Sequence, residues 1–307
     1  MGRVRQHPQG RGDQRGPDRR EDDGNEADLN ELSRLVSRRA GFHTCPMRCD
    51  SEGGGYGKPP YICLSSLAHL SSSNMSTVKP LQGKRILITS GPTRAHLDAV
   101  RFISNRSSGR LGKLIALEAL MAGADVMFVH GHGSELPSGR IPPDACPFEH
   151  LRMREIETVE DLIATLKAEL QETRYDAAVH AMAVLDFAPD HRLGEKVPSE
   201  QGEWTVKLVK TPKAIQLFRE LSPQTFLVGF KLETGASEPQ LIQAAHESLK
   251  RYNADLVVAN DLTQIKAGQH IAHFVNPEGK VEGTYRTKDE IASALVQLLA
   301  KRLAAST

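Results

Sequence analysis

The chain has 307 residues, 39% hydrophobic and 25% charged, enough for one large or two small domains with a real core. Lys and Arg number 39 against 38 Asp and Glu, a formal net charge of +1, so no bulk electrostatic grip on nucleic acid or an anionic membrane is expected. No apolar run approaches the ~20 residues of a membrane span, the polar start has no secretory pattern, and four irregularly placed cysteines do not make a disulfide framework; a soluble, cytoplasmic protein is expected.

In chain order, residues 1–57 are rich in arginine and contain no lysine; the first is Lys58. Mixed charge and glycine with few aliphatics cannot bury enough surface to offset the entropy of ordering. Two readings fit residues 1–74: a disordered extension, or sequence upstream of a start at Met75. Either way the domain is expected over 75–307. His43, Cys45 and Cys49 do not make a zinc knuckle, because no second Cys/His pair follows at suitable spacing.

From Arg85 on, strand-like and helix-like segments alternate. Arg85–Ser90 reads as a buried strand ending in a Gly-Pro turn, 111–121 as a helix stopped by Gly123, and 126–130 as a second strand. A helix over 159–170 opens on acids, followed by a small apolar strand at 177–183. A short strand at 205–209 and a helix over 212–221 with proline near its first turn come next. Segments 226–230, 241–252 and 256–259 repeat strand, helix, strand. Segments 271–275 and 281–285, joined through Asn276-Pro277-Glu278-Gly279, form a hairpin, and 291–303 is a closing helix. The expected class is α/β, a Rossmann-like, mostly parallel sheet with helices on both faces plus a small β-hairpin element.

In such sheets ligands bind beyond the carboxyl ends of the strands. After the first strand, the run from Arg94 to Lys113 carries Arg94, Arg101, Arg106, Arg110 and Lys113 against one acid, Asp98, and Ser107-Ser108-Gly109 directly precedes a helix. Hydroxyls, free N–H groups and a positive helix end suit phosphate; an ordinary serine N-cap beside surface arginines fits as well. After the third strand, Ala181-Met182-Ala183 allow close backbone approach and Asp186 ends the run, able to serve a ribose, a metal–phosphate complex or a turn. Lys196 lies on a long loop, 189–203. Lys207, Lys210 and Lys213 surround Thr211-Pro212 as a second candidate anion site. Phe230, after Gly229, suits either base stacking or the core, and Asn260-Asp261 a turn or the pocket.

Together these residues resemble the phosphopantothenate–cysteine ligase family, the synthetase half of a bifunctional flavoprotein of coenzyme A biosynthesis. The resemblance covers most of 85–304 in order. Its most specific part is Val100-Arg101-Phe102-Ile103-Ser104-Asn105-Arg106-Ser107-Ser108-Gly109, close to the family pattern V-R-F/Y-I-S/T-N-x-S-S-G. Supporting motifs are Thr89-Ser90-Gly91-Pro92-Thr93-Arg94, 181–186, Glu195-Lys196, Val209-Lys210-Thr211-Pro212, 228–234 and 254–261.

The resemblance implies a ligase that activates 4′-phosphopantothenate with CTP or ATP and Mg²⁺, releases pyrophosphate and passes the acyl group to the amine of L-cysteine. It implies that Asn105 contacts the activated carbonyl, that Arg101 and Arg106 add positive field at the substrate, and that Gly91, Ser107, Ser108 and Gly109 bind phosphate. It also implies that Lys196 closes over the triphosphate, that Asp186 serves the ribose or Mg²⁺, and that Ala181, Met182, Lys210, Thr211, Pro212 and Phe230 complete the nucleotide site. No flavin is expected in this chain; a homodimer, with the 271–285 hairpin as its contact, and a separate decarboxylase partner are. Two departures leave CTP against ATP open: Ser248 and Tyr252 stand where relatives carry lysines, and Thr211-Pro212-Lys213 where Asn-Pro-Asp is common. A non-catalytic nucleotide-binding relative is the alternative; a nicotinamide dehydrogenase would need a G-x-G-x-x-G turn that is missing after the first strand.

Overall fold

Five consecutive residues of β1 (Arg85–Ser90) are buried, because a central strand must cover both of its faces. Ile86 and Ile88 point to one layer, against α1 (Arg110–Met121) and α5 (Lys288–Ala304). Leu87 points to the other, against α2 (Val159–Glu172), α3 (Gln216–Leu221) and α4 (Glu238–Tyr252). The computed structural model describes residues 79–138, 147–200, 202–266 and 268–305. The 1–74 segment and all four cysteines lie outside the described residues.

The remaining strands of the large sheet are β2 (Asp125–Gly131), β3 (Leu151–Ile156), β4 (Ala177–His180), β5 (Phe226–Glu233), β6 (Leu256–Asp261), β7 (Ala272–Val275) and β8 (Val281–Tyr285). Their spatial order is β8-β7-β6-β5-β4-β1-β2-β3. The six strands β3-β2-β1-β4-β5-β6 are mutually parallel, the doubly wound order that reverses direction between β1 and β4. The hairpin forms as expected, but it extends the main sheet: β7 pairs antiparallel with β6 and is fully buried. A two-stranded ribbon pairs Arg94–His96 with Phe102–Ser104, and a second pairs Phe187–Pro189 with Leu208–Lys210.

Local chemistry sets the helix ends. Thr158 and Asp161 close a capping box on α2, Ser237 and Gln240 one on α4, and Thr287 caps α5. Two expectations are corrected. The helix expected from 212 begins only at Gln216, so Thr211-Pro212-Lys213 precedes it without regular structure; the strand expected at 205–209 is Leu208–Lys210. β3 was not expected at all: its middle residues, Arg152 to Glu155, are exposed at the sheet's edge, where charge guards against further pairing and hides the apolar alternation.

Candidate functional site

The reversal between β1 and β4 places their carboxyl ends side by side, and the chain holds them together past the last strand residues. Ala183 N–H donates to Gly91 C=O at 2.8 Å, and Thr93 N–H to Ala183 C=O at 3.3 Å. Gly91 and Gly131 permit this. A Cβ on Gly131 would lie 1.9 Å from the Pro92 carbonyl oxygen, and Gly91 sits at φ 79°. Small residues are required here because two backbones cross at van der Waals distance.

The signature segment folds onto this junction. Ser104 Oγ donates to Thr93 C=O at 3.0 Å, and Asn105 Nδ2 donates to the carbonyls of Ala183 and Val184, each at 3.1 Å. Thr93 Oγ1 accepts from Leu185 N–H at 3.0 Å, and Thr211 N–H donates to Asp186 C=O at 3.0 Å. Segments up to 92 residues apart in sequence are thus tied to one strand end.

The signature then leads into α1. Its N-cap is Gly109 at φ 76°, with no side-chain cap and no acid in the first turn. The serine N-cap reading is therefore set aside: Ser108 Oγ accepts from Arg110 N–H at 3.3 Å, while Ser90 Oγ donates to Gly109 C=O at 2.9 Å. Opposite stands Ser134, whose buried Oγ has no hydrogen-bond partner among the described residues and faces Gly91 and Gly109. An uncapped helix start of 12 residues and an orphaned hydroxyl have the chemistry of an anion cradle.

The other expected residues divide. Asp186 is exposed and paired with Lys213 Nζ, so the carboxylate already has a cation beside it. Lys207 pairs with Asp190 at 2.9 Å, at the opposite end of the second ribbon from Lys210, and Lys213 with Asp186; two of the three lysines around Thr211-Pro212 are thus already held by carboxylates, and they do not form a joint anion site. Phe230 is half-buried and packs with Ala181 against the core layer of α1 and α5, whereas Met182 is buried in the other layer. Lys196, Lys210 and Arg106 are exposed. Arg101 is not a free cation: it pairs with Asp98 at 2.7 Å and reaches the Val197 carbonyl. Asn260 is buried, and Asp261 caps the turn at Leu262–Gln264 while accepting from Ala236 N–H at 2.7 Å. Ser248 and Tyr252 lie in the last two turns of α4, toward the amino ends of the strands. Ten residues along a helix is ~15 Å, so the positions of the missing lysines lie at the end of α4 remote from the crevice.

Four groups beside the crevice carry chemistry that sequence reasoning missed. Thr89 Oγ1 and His180 Nδ1 meet at 2.8 Å beneath it, and burial pushes His180 down to about 4, so its ring is neutral. Burial would raise Asp98, but N–H groups of Val100, Val197 and Arg101 and the Arg101 charge hold it at about 2. Ser134 is the fourth. None has a local signal, since each gains its role from a partner on another strand or loop.

Among the described residues no cluster of three His, Cys, Asp or Glu could hold a metal ion. Asp186 alone fits only a Mg²⁺ that brings phosphate oxygens as its other ligands. No described helix is long and apolar enough to cross a membrane.

Residues 81–303 match the family described as the DNA/pantothenate metabolism flavoprotein C-terminal domain. The chain is 38% identical over 225 residues to the coenzyme A biosynthesis bifunctional protein CoaBC of Thermococcus kodakarensis, covering 73% of this chain and 53% of that protein. It therefore spans about half the length of the curated relatives it matches. The crystal structure of the DNA/pantothenate metabolism flavoprotein from Streptococcus pneumoniae matches with a TM-score of 0.63 at 34% identity, over 73% of this chain and all of that one (100%). A Cab2 mutant in complex with phosphopantothenate-cysteine matches with a TM-score of 0.59 at 26% identity, over 73% of this chain and 88% of the other.

Proposed function

The chain belongs to the DNA/pantothenate metabolism flavoprotein C-terminal domain family, and we propose that it joins 4′-phosphopantothenate to L-cysteine with a nucleoside triphosphate, CTP or ATP, in coenzyme A biosynthesis. The carrying observation is the uncapped start of α1 at Gly109, facing the orphaned Ser134 hydroxyl at the point where the sheet reverses. Phosphate binds there, with Ser107 and Ser108 beside it. The base stacks near Phe230 and Ala181, and Mg²⁺ arrives on the triphosphate, with Asp186 as its protein contact and Lys213 adding positive charge.

The substrate carboxylate attacks the α-phosphorus and pyrophosphate leaves, giving an acyl-nucleotide. The amine of cysteine then attacks the acyl carbon, the nucleoside monophosphate leaves and an amide forms. No nucleophilic side chain is needed, because positioning and charge neutralisation carry such a reaction. Asn105 holds the 183–184 carbonyls through Nδ2, which leaves Oδ1 as an acceptor that orients the attacking amine of cysteine beside the acyl group. Lys196 neutralises the triphosphate from the loop, Arg106 adds field, and Lys210, Thr211, Pro212 and Met182 shape the wall.

The protein acts as a dimer, and its contact is moved from the 271–285 hairpin to the two small ribbons. Phe102, Phe187 and Leu208 are 45%, 47% and 44% exposed there, whereas β7 is buried in the sheet. A separate decarboxylase consumes the product. The test is pyrophosphate release with 4′-phosphopantothenate and Mg²⁺, comparing CTP with ATP, with and without L-cysteine. Sustained cysteine-dependent release establishes the ligase and its nucleotide; binding without turnover points to a non-catalytic relative.

A further inference from the structure

The second ribbon closes tightly at its base and then sends out a long loop, 190–207. Asp190 N–H donates to Lys207 C=O at 3.0 Å, and their side chains pair at 2.9 Å. Lys196 is exposed on this excursion, with no polar partner among the described residues. The residues flanking it are anchored. Leu193 N–H donates to Leu97 C=O at 3.0 Å, and Val197, which is buried, is gripped by both of its backbone groups. Its N–H donates to Asp98 Oδ2 at 3.1 Å, and its C=O accepts from Arg101 Nη1 and Nη2 at 3.3 and 3.4 Å.

Asp98 is fully buried and accepts four hydrogen bonds. Oδ1 takes the N–H groups of Val100 and Arg101 at 2.8 and 2.7 Å, which fixes the turn of the first ribbon. Oδ2 takes Arg101 Nη1 at 2.7 Å and the loop's Val197 N–H. The Arg101 guanidinium also lies over the ring of Trp204, 5.4 Å from its centroid, on the returning limb of the loop. One oxygen of Asp98 therefore serves the turn that leads into Asn105, and the other serves the loop that carries Lys196.

We propose that Asp98 is a positioning residue: with Arg101 it forms a latch that docks the 190–207 loop and sets Lys196 against the crevice in register with Asn105. The latch rests on the ligase reading for what Lys196 does, but its docking does not. A buried carboxylate with four donors is a fixed acceptor, and its ionised state, held to about 2, persists at any working pH. The loop can leave only by exchanging these bonds for water, so docking is reversible on the scale of a lid.

The chain has one tryptophan, and it is Trp204; intrinsic fluorescence thus reports the latch directly. In Asp98→Asn, the amide oxygen still accepts from the N–H groups of Val100 and Arg101 and keeps the turn, while the amide nitrogen now meets two donors, Arg101 Nη1 and the loop's Val197 N–H. Expected is emission shifted to longer wavelength and stronger acrylamide quenching, at unchanged circular dichroism. In the pyrophosphate assay, the nucleotide kcat/KM falls by at least about tenfold, as for a displaced catalytic group, while the KM for cysteine is unchanged. A folded variant with wild-type emission and quenching overturns the latch, and shifted emission with unchanged nucleotide kcat/KM overturns its positioning role. An inactive wild type refutes the ligase reading alone, and fluorescence still decides docking. Should the variant not fold, hydrogen exchange of the Val197 amide in the wild-type protein decides: protection supports the latch, free exchange overturns it.

Discussion

Replacing Asn105 by Asp turns two donated hydrogen bonds into two opposed pairs of oxygens. Asn105 Nδ2 lies 3.1 Å from the carbonyls of both Ala183 and Val184, so a carboxylate at this position meets both with like partial charge. Each bond is worth about 0.5–1.5 kcal/mol net, and because Asn105 is exposed, water replaces part of what is lost. Asn105→Ala is therefore expected to cost about 1 kcal/mol, and Asn105→Asp about 2 kcal/mol because repulsion adds to the lost bonds. Urea unfolding at constant m measures both, with pyrophosphate release run on the same preparations. Ligation should fall in both variants, further in the Asp form. If both unfold at the wild-type midpoint while ligation is lost, Asn105 acts on the ligand alone and the strand-end tie contributes nothing. If Ala is the more destabilising, the repulsion argument is wrong.

Gly109→Ala places an L side chain at φ 76° with Ser134 Cβ and Ser90 Oγ each 3.1 Å from the new Cβ, so it should cost about 2 kcal/mol and weaken phosphate binding by calorimetry. Between pH 6.5 and 4 the unfolded state binds more protons than the fold, because His180 is neutral with its value lowered to about 4; stability is complete above pH 6.5 and falls by up to roughly 3 kcal/mol by pH 4. His270, held at about 4 by burial and Lys288, loses stability in the same window, and His180→Gln should flatten His180's share of a thermal-melting profile. Asp98 and Asp261, both at about 2, keep their contribution above pH 4 and lose it only as the pH falls toward 2, so a second, more acidic step should follow. Lys213→Ala removes an exposed pair and should change stability by less than about 0.5 kcal/mol, yet lower the nucleotide kcat/KM. Phe102→Asp should convert the dimer to monomer by light scattering.

The architecture was legible because its signals are local. Alternating apolar runs, glycine stops and capping residues marked β1, β2, β4, β5, β6, the hairpin and the long helices to within a few residues. The parallel sheet then dictated where to look, at the ends of strands, and there the signature, the 181–186 segment and Thr211 do meet. What stayed hidden depends on distant partners. β3 is an edge strand whose charged middle does not alternate. Asp98 reads as one acid among five cations, and only the fold brings Val197, 99 residues away, onto its second oxygen. Arg101 was read as a free positive charge for the same reason, although its guanidinium is committed to Asp98 and the loop.

The first small ribbon explains why so long a connection separates β1 from α1. A dinucleotide-binding sheet of this strand order usually passes from the first strand to its helix through a short glycine turn; here residues 91–109 intervene. That excursion carries Asn105 to the end of β4 and Asp98 to the lid loop before returning to the same helix start. The start of α1 beside β1 is thereby kept, while the inserted ribbon supplies what a simple turn cannot: an amide, Asn105, fixed against the end of β4, and a carboxylate, Asp98, that holds the Val197 segment; on the proposed ligase reading these serve the reacting carboxylate and Lys196. On this view, shortening the ribbon should leave phosphate binding at Gly109 measurable by calorimetry while abolishing amide formation. Loss of both together would mean that the ribbon and the cradle are one folding unit.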